Sequence, residues 1–200
     1  MLVSVGSAAC SDDEIDSDEA ARRAYLGLDG SIEKSLNLGF AGFNAASSAN
    51  IDVQMTTGAS AGTLAIDGQV DQGSSANKGM RLNVAMVGYD DGDIVINDDG
   101  DTIHLVYDTS TDVAAQPYLD LKLMNVPTGT LTGSLSSNTS MTGVYNLSGD
   151  MDGTLTLAVT INGTLMAGPN NTVVRVPGTT TVVGTATNSD GGVYAINLTV

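Results

Sequence analysis

The stretch MTGVYNLSGDMDGTLTLAVTINGTLMA, residues 141–167, decides the fold. Its odd positions are apolar or glycine, from Met141 through Tyr145, Leu155, Leu157 and Ile161 to Leu165. The even positions between them are mostly Thr, Ser, Asn and Asp. Side chains alternate faces along a strand, so this pattern writes one apolar and one solvated face of an antiparallel sheet. As a single strand the stretch would extend about 90 Å, far beyond the usual three to ten residues. The chain must therefore reverse inside it. Parity never changes across the stretch, so the reversal needs an odd number of loop residues. Asp150-Met151-Asp152, between Gly149 and Gly153, is the predicted loop. Asn162-Gly163 would break parity as a tight two-residue turn, which predicts an unbroken strand from Thr154 to Met166.

The same alternation extends in both directions from about residue 50. It marks strands within Gly62–Asp71, Met80–Gly88, Ile103–Tyr107, Leu119–Leu123, Leu131–Leu135, Val174–Val176, Val182–Ala186 and Tyr194–Val200. Apolar parity flips between Ile96 and Ile103, which predicts a two-residue turn at Asp99-Gly100. It is preserved across Asp190-Gly191-Gly192, which predicts a three-residue loop pairing Val182 with Val200 and Ala186 with Ile196. Gly-Thr-Leu recurs at 62, 129, 153 and 163, but its irregular spacing marks strand starts rather than a solenoid repeat.

Upstream, the period changes. Asp16 and Glu19 form a capping-box-like start to a short helix, Ala20–Leu26, ending at Gly27. Ile32, Leu36, Phe40 and Phe43 recur on one face of a second helix reaching about Ala46. This helix is expected to lay its aromatic stripe on the sheet, with Phe40 and Phe43 as candidate ligand-lining residues. The fold class is thus mainly β. One antiparallel sheet, curled into an open or closed barrel, carries one or two N-terminal helices; a two-sheet sandwich is the alternative. The expected divisions are a partial signal segment at 1–9, an acidic tether at 10–19, short helices at 20–49 and an antiparallel β domain at 50–200.

Charge narrows the partners. The chain has 23 acidic and 7 basic residues, for a formal net charge of −16. Such a chain repels phosphate backbones, which excludes nucleic acid as an expected partner. Nearly all the acids are Asp, a turn and cap former, so the charge belongs in loops. Cys10 is the sole cysteine, so no intramolecular disulfide forms.

Residues 1–10, MLVSVGSAAC, place a short apolar run and small residues before that cysteine. They resemble the end of a bacterial lipoprotein signal, which implies processing at Cys10 and a lipid on its side chain, with the translation start further upstream. Ser11-Asp12-Asp13-Glu14 then resembles the acidic export signals of some surface-displayed lipoproteins. The resemblance implies a lipid anchor in the bacterial envelope, at the outer membrane or cell surface.

Catalytic signals are sparse. His104 is the only histidine, it lies on a predicted strand, and no Gly-x-Ser-x-Gly elbow accompanies it. Asp90, Asp91 and Asp93 form one Asp-Gly cluster and Asp98, Asp99 and Asp101 a second. Together they are candidate calcium ligands if both loops share one sheet end, because calcium takes several carboxylates on sharp loops. Hairpin turns explain the same residues without an ion. Apart from calcium, no cofactor is expected. The expected function is non-catalytic, a structural or partner-binding envelope lipoprotein. The alternatives are a carrier of a lipid or other apolar ligand, analogous to periplasmic half-barrels, and an Asp-based or metal-dependent hydrolase.

Overall fold

The computed structural model describes residues 14–45, 47–72, 75–125, 133–169 and 172–200. Among the described residues, one helix, α1 (Asp18–Ala45), is followed by ten strands in a single antiparallel sheet. In chain order they are β1 (Asn50–Thr57), β2 (Ala61–Val70), β3 (Lys78–Val95), β4 (Thr102–Asp108), β5 (Tyr118–Met124), β6 (Gly133–Gly149), β7 (Gly153–Ala167), β8 (Val173–Arg175), β9 (Thr181–Asn188) and β10 (Val193–Thr199).

The decisive stretch is a hairpin, as its parity requires. β6 and β7 pair from Thr139↔Ile161 to Leu147↔Gly153, so the reversal spans residues 148–152 and centres on Asp150, one residue before the centre of the predicted Asp150-Met151-Asp152 loop. β7 runs through Asn162-Gly163 without a break. Its buried residues are Leu155, Leu157, Val159, Ile161, Gly163 and Leu165, while Thr154, Thr156 and Thr160 face outward.

Two strand positions in the sheet are each filled by two segments laid end to end. β3 pairs with β4 through residues 89–95 and with β5 through residues 78–83. On the other side β6 also pairs with both. β7 likewise pairs with β9 and then β8. The excursion between β4 and β5 holds a 3-10 turn, Val113–Ala115, capped by the Asp112 side chain on the Ala114 N–H. The sheet path runs from β1 to β10, which do not pair with each other. Because α1 touches both of those terminal strands as well as β2, β3, β4 and β8, the sheet must curl around the helix.

Two further turns also sit one residue away from their predicted places. Between β3 and β4 parity does flip, but Gly100 N–H donates to Asn97 O, so Asp98-Asp99 occupy the turn centre. Gly100 then takes the left-handed conformation, φ +86°, that resists a side chain. Between β9 and β10 the loop has three residues, but they are Ser189, Asp190 and Gly191. Asn188 N–H donates to Gly192 O, and the Asn188 side chain accepts from the Asp190 and Gly192 N–H groups. Val182 therefore pairs with Leu198 and Ala186 with Tyr194.

The helical region is one helix rather than two. Ser17, not Asp16, caps it, accepting the Ala20 N–H on Oγ at 3.2 Å. Gly27 does not end it. A Cβ at Gly27 would lie 2.5 Å from Tyr107 Oη, so the glycine is needed for close approach of helix and sheet. Tyr107 Oη donates to Ala24 O at 2.7 Å from a fully enclosed position. The buried stripe is Ala21, Ala24, Tyr25, Leu28, Ile32 and Leu36. Phe40 and Phe43 flank it, half-buried, because Gly39 and Gly42 occupy the line of closest contact over Met80 and Ile51.

Gly27→Ala makes a signed test of this packing. In an unconstrained helix interior the change gains about 1 kcal/mol. Here the methyl meets Tyr107, and the expected result in urea melts is a net loss of about 1–3 kcal/mol.

Candidate functional site

Strands alternate in direction, so the turns after β1, β3, β6 and β9 gather at one end of the sheet. The start of α1 joins them: Asn188 Nδ2 donates to Ile15 O at 2.9 Å, and Asp18 Oδ1 accepts the Ala195 N–H at 2.7 Å. This end is strongly acidic and carries the chain's only histidine.

A bulge in β3 organises it. The β3–β4 register shifts between Asp90 and Asp93, which sends adjacent acids to opposite faces. Asp90 and Asp93 face His104, which is the register partner of Asp93. His104 Nε2 lies 3.2 Å from Asp90 Oδ1 and Nδ1 lies 3.0 Å from Asp93 Oδ1. The His104 backbone is also held, its N–H donating to Asp150 Oδ2 at 2.8 Å and its carbonyl accepting the Asp150 N–H at 3.0 Å.

Asp91 turns the other way, toward the helix. Lys34 Nζ donates to its Oδ1, the Ala59 N–H donates to the same oxygen, and Tyr89 Oη donates to Oδ2 at 2.5 Å. Lys34 Nζ also stands 4.9 Å above the Tyr89 ring centroid. Burial pushes the Asp91 carboxyl up, but Lys34, Tyr89 and the Ala59 N–H outweigh it and hold it below the ordinary carboxylate range. Asp90 is balanced the same way: desolvation opposes ionisation, and the Gly92 N–H, Ser60 and His104 overcome it.

The bonds to Asp93 and then Asp90 raise the His104 imidazole above its ordinary value. A raised histidine contributes stability that is complete below its unfolded value and fades as pH rises through its folded value. The stability difference between the native chain and His104→Gln is therefore expected to be largest in mildly acidic buffer. It should shrink steadily toward alkaline pH in parallel urea melts; a difference constant with pH would refute the assignment.

With both ring nitrogens on carboxylates, His104 acts as an electrostatic clip between the two sides of the bulge. Both ring nitrogens face aspartates, so His104 is not placed as the base of a serine relay. Asp101 is spent within its turn, its Oδ2 accepting from Asn97 Nδ2 at 2.8 Å, and Asp98 and Asp99 are exposed at the turn centre. The six candidate calcium ligands thus fall into three separate environments. Among the described residues, no three His, Cys, Asp or Glu side chains converge as a cation site.

Two polar clefts open beside the helix start. One of about 380 Å³ is lined by Glu14, Asp16, Glu19, Arg23, Asp150 and neighbouring residues. The second, of about 330 Å³, shares Glu19 and Arg23 and adds Ile96, Asn97, Asp101 and Thr102. Phe40 and Phe43 line neither cleft. Phe43 instead has Lys78 Nζ 5.6 Å above its ring centroid. Cys10 lies outside the described residues.

A second polar cluster, absent from the sequence reading, joins α1 to β8. Arg175 donates to both Asp29 carboxylate oxygens, at 2.9 and 2.5 Å, and Tyr25 Oη donates to Asp29 Oδ1 at 2.9 Å. The Arg175 N–H donates to Glu33 Oε2 at 3.0 Å. Asn37 completes the seam, exchanging hydrogen bonds of 2.9 and 2.7 Å with the Val173 backbone as an extra strand would. Burial opposes the Arg175 charge, but Asp29 outweighs it and keeps the guanidinium ionised.

Comparison of the chain with protein-family models, with curated proteins and with solved structures finds no match. The reading of function therefore rests on residues and geometry alone.

Proposed function

We propose that this protein is a non-catalytic lipoprotein of the bacterial envelope with a structural or partner-binding role, lipid-anchored through Cys10 at the outer membrane or cell surface. One observation carries the non-carrier part of the reading: α1 fills the concave face of the sheet. Tyr25, Leu28, Ile32 and Leu36 are fully enclosed there, against enclosed sheet residues that include Tyr107 and Tyr145. Interior apolar surface is thus spent on the chain's own helix. The anchor is supported by the small residues before Cys10 and by the acidic run after it. A net charge of −16 favours an uncharged or basic partner and disfavours nucleic acid.

Two measurements test this. Cells producing the protein with its natural upstream sequence are fed an alkyne fatty acid; the native chain should be labelled and Cys10→Ser should not. Equal labelling of both would remove the anchor from the proposal. Native mass spectrometry of protein extracted from envelopes should show the bare polypeptide plus its anchor. A co-purifying apolar ligand would instead support the carrier reading, in which α1 leaves the concave face.

A further inference from the structure

The two terminal strands of the sheet are built differently. β1 is blunted in ways that natural sheet edges use against pairing. Its register with β2 shifts between Ile51 and Gln54, and it carries Asp52. Gln54 Nε2 donates to the Asp52 and Val53 carbonyls, and Lys34 Nζ donates to Thr57 O at 3.4 Å. β10 has one such cover, Asp18 on the Ala195 N–H, and beyond Ala195 it has none of these devices. Val193–Thr199 contains no charge and no proline, and its register with β9 is unbroken from Val193↔Thr187 to Thr199↔Thr181.

Backbone phase shows which groups of β10 are open. Asn188 pairs with Gly192, and Thr180 exchanges both hydrogen bonds with Val200. Hydrogen-bonded pairs recur every second residue, so Tyr194, Ile196 and Leu198 bond to β9. Val193, Ala195, Asn197 and Thr199 present their N–H and C=O groups to the free edge. Asp18 takes the Ala195 N–H. The free window among the described residues therefore centres on Asn197 and Thr199.

We infer that β10 is a self-association edge, and that its partner is β10 of a second copy in antiparallel pairing centred on Leu198. Asn197 of each copy then faces Thr199 of the other, and two hydrogen-bonded pairs give four backbone hydrogen bonds while leaving Ala195 with Asp18. Leu198 meets its own copy at the closer, non-hydrogen-bonded position. It is half-buried here and packs on the edge of the core, so the copy covers its remaining apolar surface. Charge selects the same place. In a chain of net charge −16 two copies repel, yet the outward-facing positions of β9 and β10, Thr181 to Thr187 and Val193 to Thr199, are all uncharged.

Sedimentation velocity and chemical trapping on the full chain test the inference, in a Cys10→Ser background. The mass should rise from 20.3 kDa toward twice that value between low and high micromolar protein. Leu198→Cys should form a disulfide-linked dimer under mild oxidation. Val193→Cys, more exposed on the same strand but far from its copy in this register, should not. Asn197→Pro should stay monomeric with an unchanged circular dichroism spectrum. Should it fail to fold, Asn197→Lys/Thr199→Lys, which sets like charges opposite each other, gives the same readout. A monomer at every concentration, a dimer that survives these edge variants, or cross-linking of Val193→Cys as fast as Leu198→Cys would overturn it.

Discussion

Replacing Arg175 by methionine is expected to lower stability by about 3–5 kcal/mol, because it leaves the buried Asp29 carboxylate without its cation. The side chains of the pair are only 11% and 14% exposed, so water replaces little of the lost interaction. Tyr25 Oη remains as a donor to Asp29, but a single phenol does not neutralise a carboxylate held under a helix. The loss should appear as a shift of the urea midpoint with an unchanged slope. Removing both charges in Arg175→Met/Asp29→Leu should restore a large part of it, since deleting a buried pair as a unit is close to neutral. A single-variant cost under about 1 kcal/mol, or a double variant worse than the sum of its parts, would show that the cluster does not hold helix and sheet together.

The second large effect tests the sidedness of the 141–167 stretch. Leu157 is fully enclosed and pairs across β7 with Gly143 and Ala186. Leu157→Ala is expected to cost about 2–5 kcal/mol, the range for a buried aliphatic truncated in a core that cannot close over the gap. Thr156, one residue earlier, points outward, and Thr156→Ala should stay within about 0.5 kcal/mol. Equal costs at the two positions would contradict the alternation on which the sheet rests. Thermal or urea denaturation of the two variants beside the native chain decides it.

What could be read from the sequence follows from what each signal measures. Alternation measures which side of a sheet a residue faces; β7 follows it throughout, and β3 follows it from Met80 to Met86, before its bulge. β1 escaped because only Ile51 of its eight residues is buried, so there was almost no alternation to see. Helix division failed at Gly27 because glycine carries two meanings. Local propensity reads it as a stop, whereas here it makes room for Tyr107, a residue 80 positions away. That partner is invisible to any local pattern.

The candidate site was obscured by a smaller error. A two-residue turn at Asp99-Gly100 would set His104 opposite Val95. The actual turn, centred on Asp98-Asp99, sets it opposite Asp93. One residue of turn placement thus separates an ordinary strand histidine from one held between two carboxylates. The bulge that divides Asp90 and Asp91 between two faces had no sequence signal beyond the Asp-Asp-Gly-Asp run itself. Arg175, Asp29 and Asn37 were likewise illegible. Each is an unremarkable polar residue until the helix lies along β8, and their spacing in the chain carries no periodicity.

The way α1 is held bears on the order of assembly. Synthesis makes the helix first, yet the group that fastens its first turn, the Ala195 N–H, is made 177 residues later. The β6–β7 hairpin, by contrast, closes through neighbours and needs nothing distant to form. Between the emergence of the helix and the completion of β10, the apolar stripe from Ala21 to Leu36 has no finished sheet to cover it. The most local contacts of the sheet can thus be complete before the contacts that fix the helix exist.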